Sequence, residues 1–171
     1  ESDAEPGREP MGSAAPTVRA QIRADVSEQW SWASSAARVP QIWDLSVDVS
    51  EAIRQARILV SVCDADIEFG STAVEIPLTE GTTRVGSVHV PLSARVMSQV
   101  DERRSAECVI ELKDASTDLT LARRAWSIDV QPRDLWLWSG DPRRAGHAQD
   151  NGTWELSRSL LASFVRPNHP E

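Results

Sequence analysis

The sequence predicts a mainly β protein built as an antiparallel β-sandwich, and three observations lead there. Short apolar runs recur along residues 17–130, several with the period of two that marks a strand with one buried face. Turn-forming residues separate these runs at regular intervals, giving about eight short strands in all. The chain is 171 residues long, with 40% apolar and 26% charged residues, enough to bury a proper core.

Residues 1–16 hold three prolines, two glycines and four acids against one Arg, with no apolar period, and read as a disordered leader or linker. Order is expected from residue 17. In the strand over 17–25, Val18 and Ile22 share one face while Arg19 and Arg23 share the other. Trp30 and Trp32 stand two apart, which in a strand sends both rings to one side, and Pro40 then breaks the chain. Over 42–49, Trp43, Leu45, Val47 and Val49 alternate with Asp44, Ser46 and Asp48, the cleanest half-buried strand of the sequence. The run over 57–63 reads as a more deeply buried strand, and 72–78 and 83–90 follow as two more.

Pro91-Leu92-Ser93 opens a short helical stretch whose Leu92, Val96 and Val100 repeat every four residues along one stripe. Strands resume over 107–112, 118–122 and 126–130, the first two joined by a turn at Lys113-Asp114-Ala115-Ser116. A short helix between two late strands suits an immunoglobulin-like Greek key. The domain is thus expected over 17–138, with a Gly- and Pro-containing loop over 139–153. A C-terminal helix, capped by Thr153, and the junction to a following domain are expected over 154–171. The helix carries Leu160, Leu161, Phe164 and Val165 on one stripe, with Trp154 one heptad before Leu161, and ends at Pro167.

The charge narrows the partners. With 26 Asp and Glu against 18 Lys and Arg, the net charge is −8 and the pI is near 4.9. That balance opposes strong nucleic-acid binding and adhesion to anionic membranes, because phosphate contacts need basic residues. No apolar run exceeds four residues, far too short to cross a bilayer as a helix. No secretory signal opens the chain, and its ends suggest a piece of something longer, so a cytoplasmic location is expected. Lys113 is the only lysine. The pairs Arg103-Arg104, Arg123-Arg124 and Arg143-Arg144 read as solvated loop ends. Cys63 and Cys108 lack metal-ligand spacing and read as free buried thiols, with one bridge between sheets as the alternative.

No motif carries catalysis, and no cofactor is expected. Asp64, Asp66 and Glu68 recur with a period of two, with Glu75 beyond them, which resembles a cation loop. Phe69 stands where the sharp-turn glycine belongs and strands flank the acids, so a solvated turn is expected and a metal-dependent hydrolase is only a remote alternative. His89, His147 and His169 are widely separated, and Asn151-Gly152 reads as a turn. Seven Trp stand against two Phe and no Tyr. Trp43 and Trp126 are expected to fill the core, and Trp136 and Trp138 to anchor the terminal helix. Exposed, that pair would form an aromatic platform for a sugar or another ligand.

The segment Leu160-Leu161-Ala162-Ser163-Phe164-Val165-Arg166-Pro167-Asn168-His169-Pro170 resembles one found in large bacterial superfamily 1 helicase-related proteins. There a similar segment closes an N-terminal β-sandwich region ahead of the helicase core. Trp30-Ser31-Trp32 before Val39-Pro40, and Leu135-Trp136-Leu137-Trp138 after the last strand, fit more loosely. Arg166 departs from the pattern, where an apolar residue is usual, and Arg143–Gln149 lengthens the loop. The resemblance implies a non-catalytic accessory domain of a larger nucleic-acid-processing ATPase, serving defence or DNA processing. Its partner would be the downstream domains of the same polypeptide or another protein. The candidate interaction residues are Trp136, Trp138, Phe164, Arg166, Asn168 and His169.

Overall fold

A computed structural model describes residues 18–65 and 67–135. The predicted leader over 1–16, the loop over 139–153 and the C-terminal helix over 154–171 lie outside the described residues. What is described is mainly β, as the sequence predicts, with two sheets and two short helices.

The strands are β1 (Ala20–Val26), β2 (Gln29–Trp30), β3 (Ile42–Val49), β4 (Ile53–Asp64), β5 (Ile67–Leu78), β6 (Gly81–Val88), β7 (Arg104–Asp114) and β8 (Leu119–Val130). Helix α1 (Trp32–Ala36) lies between β2 and β3, and α2 (Ala94–Met97) between β6 and β7. One sheet has the order β1-β3-β6 and the other β2-β8-β7-β4-β5. The chain therefore changes sheet at every step from β1 to β4, and again between β5 and β6 and between β6 and β7.

A single apolar core joins the inner faces of both sheets. Ile42, Leu45, Val47 and Val49 of β3 meet Ile58, Val60 and Val62 of β4 and Ile110 and Leu112 of β7, all essentially inaccessible. This follows from the alternation in the sequence, since period-two apolar residues can bury only one face of a pleated strand. The expected stripe of β3 is interrupted once. Asp44 takes a left-handed conformation (φ 48°) at a bulge, so that Ile42, Trp43 and Leu45 are all buried.

Several expectations are corrected. The sheets are not wholly antiparallel, because β2 runs parallel to β8, pairing Gln29 with Asp129 and Trp30 with Val130. Trp30 and Trp32 do not share a strand. Ser31 caps α1, its hydroxyl accepting from the Ser34 N–H at 3.2 Å, so the helix begins at Trp32. The central tryptophan is Trp30, fully buried and donating its indole N–H to the Ser27 carbonyl at 2.7 Å. Trp126 is only half-buried against the core. The strands predicted over 118–122 and 126–130 are one, β8, since Arg123 and Arg124 continue the ladder instead of breaking it. The helical stripe is shorter than expected: α2 spans Ala94–Met97, its fully buried residue is Met97, and Leu92 forms a bridge with Gly70 of β5.

The two cysteines are free and lie on adjacent strands of the same sheet, so no bridge between sheets forms. Val62 pairs with Cys108 and Cys63 with Glu107. Direct cross-strand partners share a face and successive residues alternate, so Cys108 points inward while Cys63 points outward. Burial then pushes the Cys108 thiol up to about 12, with Cys63 nearby adding to the effect.

One end of the molecule is closed by helices and polar pins. Ser35 of α1 donates its hydroxyl to the Val90 carbonyl at 3.1 Å and accepts from the Leu92 N–H at 2.8 Å. Gln41 Oε1 accepts from the Val90 N–H at 2.9 Å, and His89 Nε2 donates to the Ser35 carbonyl at 2.8 Å. These buried side chains take over the hydrogen bonds that a ladder partner would give the link over 89–92. The end of β8 also lies here. Beyond it Arg133 donates its N–H to the Val100 carbonyl at 3.3 Å and holds its guanidinium 6.0 Å from the Trp32 ring.

Candidate functional site

Trp136, Trp138, Phe164, Arg166, Asn168 and His169 all lie outside the described residues. The structure instead singles out the outer face of the five-stranded sheet and the helix-capped end that adjoins it.

Register builds the outer face row by row. Across β5, β4 and β7, Glu75 stands beside Arg57 and Arg57 beside Lys113. The next row is Ala73, Leu59, Glu111 and Arg123, followed by Ser71, Ser61, Val109 and Ala125. The middle of this face therefore carries small and aliphatic side chains. Val109 is only 7% exposed although it sits on the solvent side of the sheet. Around it run ion pairs: Arg57 with Glu75 at 2.8 Å, Arg123 with Glu111 at 3.1 Å and Arg103 with Asp129 at 3.6 Å. Exposed pairs of this kind add little stability. Their effect here is to frame a neutral centre.

Toward the helix-capped end the face sinks into a depression of about 530 Å³ lined by Cys63, Asp64, Ser105, Glu107, Val109 and Arg123 among others. A second groove, of about 360 Å³, lies between α2 and the start of β5, with Phe69 and Val100 buried in its wall and Ile67 exposed at its mouth. Asp64 and Arg104 stand 3.8 Å apart, Asp64 lining the first hollow and Arg104 the second.

Of the arginines expected at solvated loop ends, Arg103 does lie exposed in the loop before β7, but Arg104, Arg123 and Arg124 do not lie in loops. Arg104 is in β7, and Arg123 and Arg124 are in the middle of β8. Arg124 is exposed, lies 4.9 Å from the Trp126 ring and donates to the Ile22 carbonyl of β1 at 3.0 Å, tying one sheet to the other. Arg143 and Arg144 lie outside the described residues.

The acidic run is a hairpin, as expected: Asp64 pairs with Ile67 across the β4–β5 connection, and Asp66 lies outside the described residues. Glu68 accepts from the Ser71 hydroxyl at 2.6 Å, and Glu75 is held by Arg57. Among the described residues no group of three or more His, Cys, Asp or Glu is placed to hold a metal ion, and no helix is long and apolar enough to cross a membrane. Trp30 and Trp43 are buried, and Trp32 and Trp126 each lie beside an arginine.

The sequence held one signal for the outer face. Cys108, Val109 and Ile110 are apolar in succession, and a strand buried on one side alone requires a polar residue between the outer two. No family model matches the chain, and no curated protein matches it.

Proposed function

We propose that this chain is an immunoglobulin-like β-sandwich serving as a non-catalytic accessory module of a larger helicase-like, nucleic-acid-processing protein in the cytoplasm. It would dock through the outer face of its five-stranded sheet onto the ATPase part of the same polypeptide. The strand order supports the fold reading. Strands one, three and six lie in one sheet and four, five, seven and eight in the other, with a short strand parallel to the last and a helical turn before the seventh.

The observation that carries the docking reading is the neutral Leu59–Val109–Ala125 centre inside its ion-paired frame. Protein interfaces combine such an apolar centre with a polar rim. The net charge of −8 favours a protein over a phosphate backbone as the occupant. The residues 160–170 that resemble the helicase-related proteins bear on the parent protein and not on this face.

The test begins with the reading frame after Glu171. A continuing frame with a phosphate-binding Gly-x-x-x-x-Gly-Lys-Ser/Thr loop is expected. The ATPase part, expressed separately, should then bind this chain in calorimetry, and Ala125→Arg should weaken binding at least about tenfold. A stop codon after Glu171, or binding indifferent to Ala125→Arg, overturns the proposal.

A further inference from the structure

We infer that the groove between α2 and the start of β5 is the seat of this chain's own residues 154–165. The groove is mixed: Phe69 and Val100 are buried in its wall and Val96 is half-buried, Glu68, Gln99 and Arg104 stand around them, and Ile67 at its mouth is 37% exposed. Its volume of about 360 Å³ is at the lower end of the range that takes a small ligand, which suits the side chains of one helical turn. Arg104 in its wall keeps a buried Nε with no hydrogen-bond partner, a donor waiting for an acceptor.

The occupant follows from where the described chain ends. Val100 lines the groove and its carbonyl also accepts the N–H of Arg133, so the polypeptide passes the groove wall two residues before Leu135. The 19 positions from Leu135 to Trp154 span at most roughly 60 Å when extended, ample to turn back on a site so near their origin. Tethering at that length makes the effective concentration high. Residues 154–165 bring Trp154, Leu160, Leu161, Phe164 and Val165, and Glu155 supplies a carboxylate acceptor for the Arg104 Nε–H. The other end of the chain is a poorer occupant, since residues 1–17 hold Met11 as their one large aliphatic side chain. This inference does not rest on the sheet face, which lies on the far side of Asp64 and Arg104.

The experiment is limited trypsinolysis of the full chain at two protein concentrations tenfold apart, following cleavage after Arg158. Ile67→Asp in the groove and Phe164→Asp in the segment should each speed that cleavage about tenfold, and the double variant no further. Leu119→Asp, at an exposed hairpin tip, should leave it unchanged. Cleavage after Arg123 in β8 reports whether a variant still folds, and Val96→Ser replaces Ile67→Asp if it does not. Equal Arg158 cleavage in the native chain and both variants overturns the inference. Protection that falls on dilution overturns it too, because the occupant is then a second copy.

Discussion

Adding one methyl group at Gly70 tests how tightly the two sheets are pinned at the helix-capped end. A Cβ built there falls 2.2 Å from the Pro91 carbonyl oxygen, 3.0 Å from Leu92 Cα and 3.1 Å from the Pro91 carbonyl carbon. All three are backbone atoms, so no side chain can swing aside. The link carrying them is held from several directions. Ser93 donates its N–H to the Phe69 carbonyl at 2.7 Å, Leu92 to Ser35 Oγ at 2.8 Å, and Val90 to Gln41 Oε1 at 2.9 Å. Relieving the overlap must therefore break at least one buried hydrogen bond.

Overpacking and one orphaned buried group together make Gly70→Ala cost about 3 kcal/mol. In a domain of this size that lowers Tm by about 10 °C. Urea titration followed by tryptophan fluorescence, checked by calorimetry, measures it. Gly86→Ala is the contrast: its added Cβ meets open space, so its cost comes from left-handed backbone (φ 96°) alone and should be about 1–2 kcal/mol. Loosening the link first with Ser35→Ala should reduce the Gly70→Ala penalty by about 1 kcal/mol or more. A Gly70→Ala protein within about 0.5 kcal/mol of the native one, or strict additivity with Ser35→Ala, refutes the reasoning.

Four further outcomes are expected. Arg124→Met keeps the aliphatic stem but leaves the Ile22 carbonyl without its donor and Trp126 without its cation, and should cost about 1–2 kcal/mol in urea unfolding; a neutral result refutes the tie between sheets. Cys63, facing outward, should react with iodoacetamide at pH 8 in the folded protein while Cys108 does not. The Cys108 thiol is held above its ordinary value, so its contribution to stability is complete below about pH 9. It is lost as pH rises toward about 12, and Cys108→Ala should flatten that alkaline decline. Asp114 is held below its ordinary value chiefly by the Ser116 hydroxyl, with the Ser116 N–H second. Ser116→Ala should raise its pKa in an NMR titration, and an unmoved midpoint refutes that cause.

Strands whose environment is uniform along their length were legible from pattern alone. The alternation of β3 and the apolar inner row of β4 both needed only one buried face. What was hidden came from contacts distant in sequence. Arg123 and Arg124 look like the end of a strand because two charges in a row seldom enter a sheet. Here one pairs with Glu111 and the other reaches the Ile22 carbonyl of β1, 102 residues away. Trp30 looked like a strand partner of Trp32, because the hydroxyl of Ser31 suits a helix cap as well as a strand. Pairing of β2 with β8 is set by tertiary contact that no local pattern encodes. For the candidate site, the run Cys108-Val109-Ile110 places an apolar side chain on the outer side of β7, but which strands flank Val109 is a matter of register.

The fold also shows how a −8 chain manages its sheet edges. An exposed edge offers free N–H and C=O groups to any other strand. Along β1 the Arg124 guanidinium takes the Ile22 carbonyl, and along β8 the short β2 pairs in parallel at one end. The start of β5 is covered by the link over 89–92, through the Gly70–Leu92 bridge and the Ser93 N–H to the Phe69 carbonyl. Residues 71–78 of β5 have no ladder partner on their free side among the described residues. Pro77 removes one donor from that stretch and Glu75 places a charge in its middle. These are weak protections against a second copy, which would bring its own Glu75 to the same edge. The acidic surplus supplies the rest, because two copies meeting edge to edge must bring like net charges together. The acidic balance that opposes contact with a phosphate backbone thus also opposes the edge-to-edge pairing of two copies.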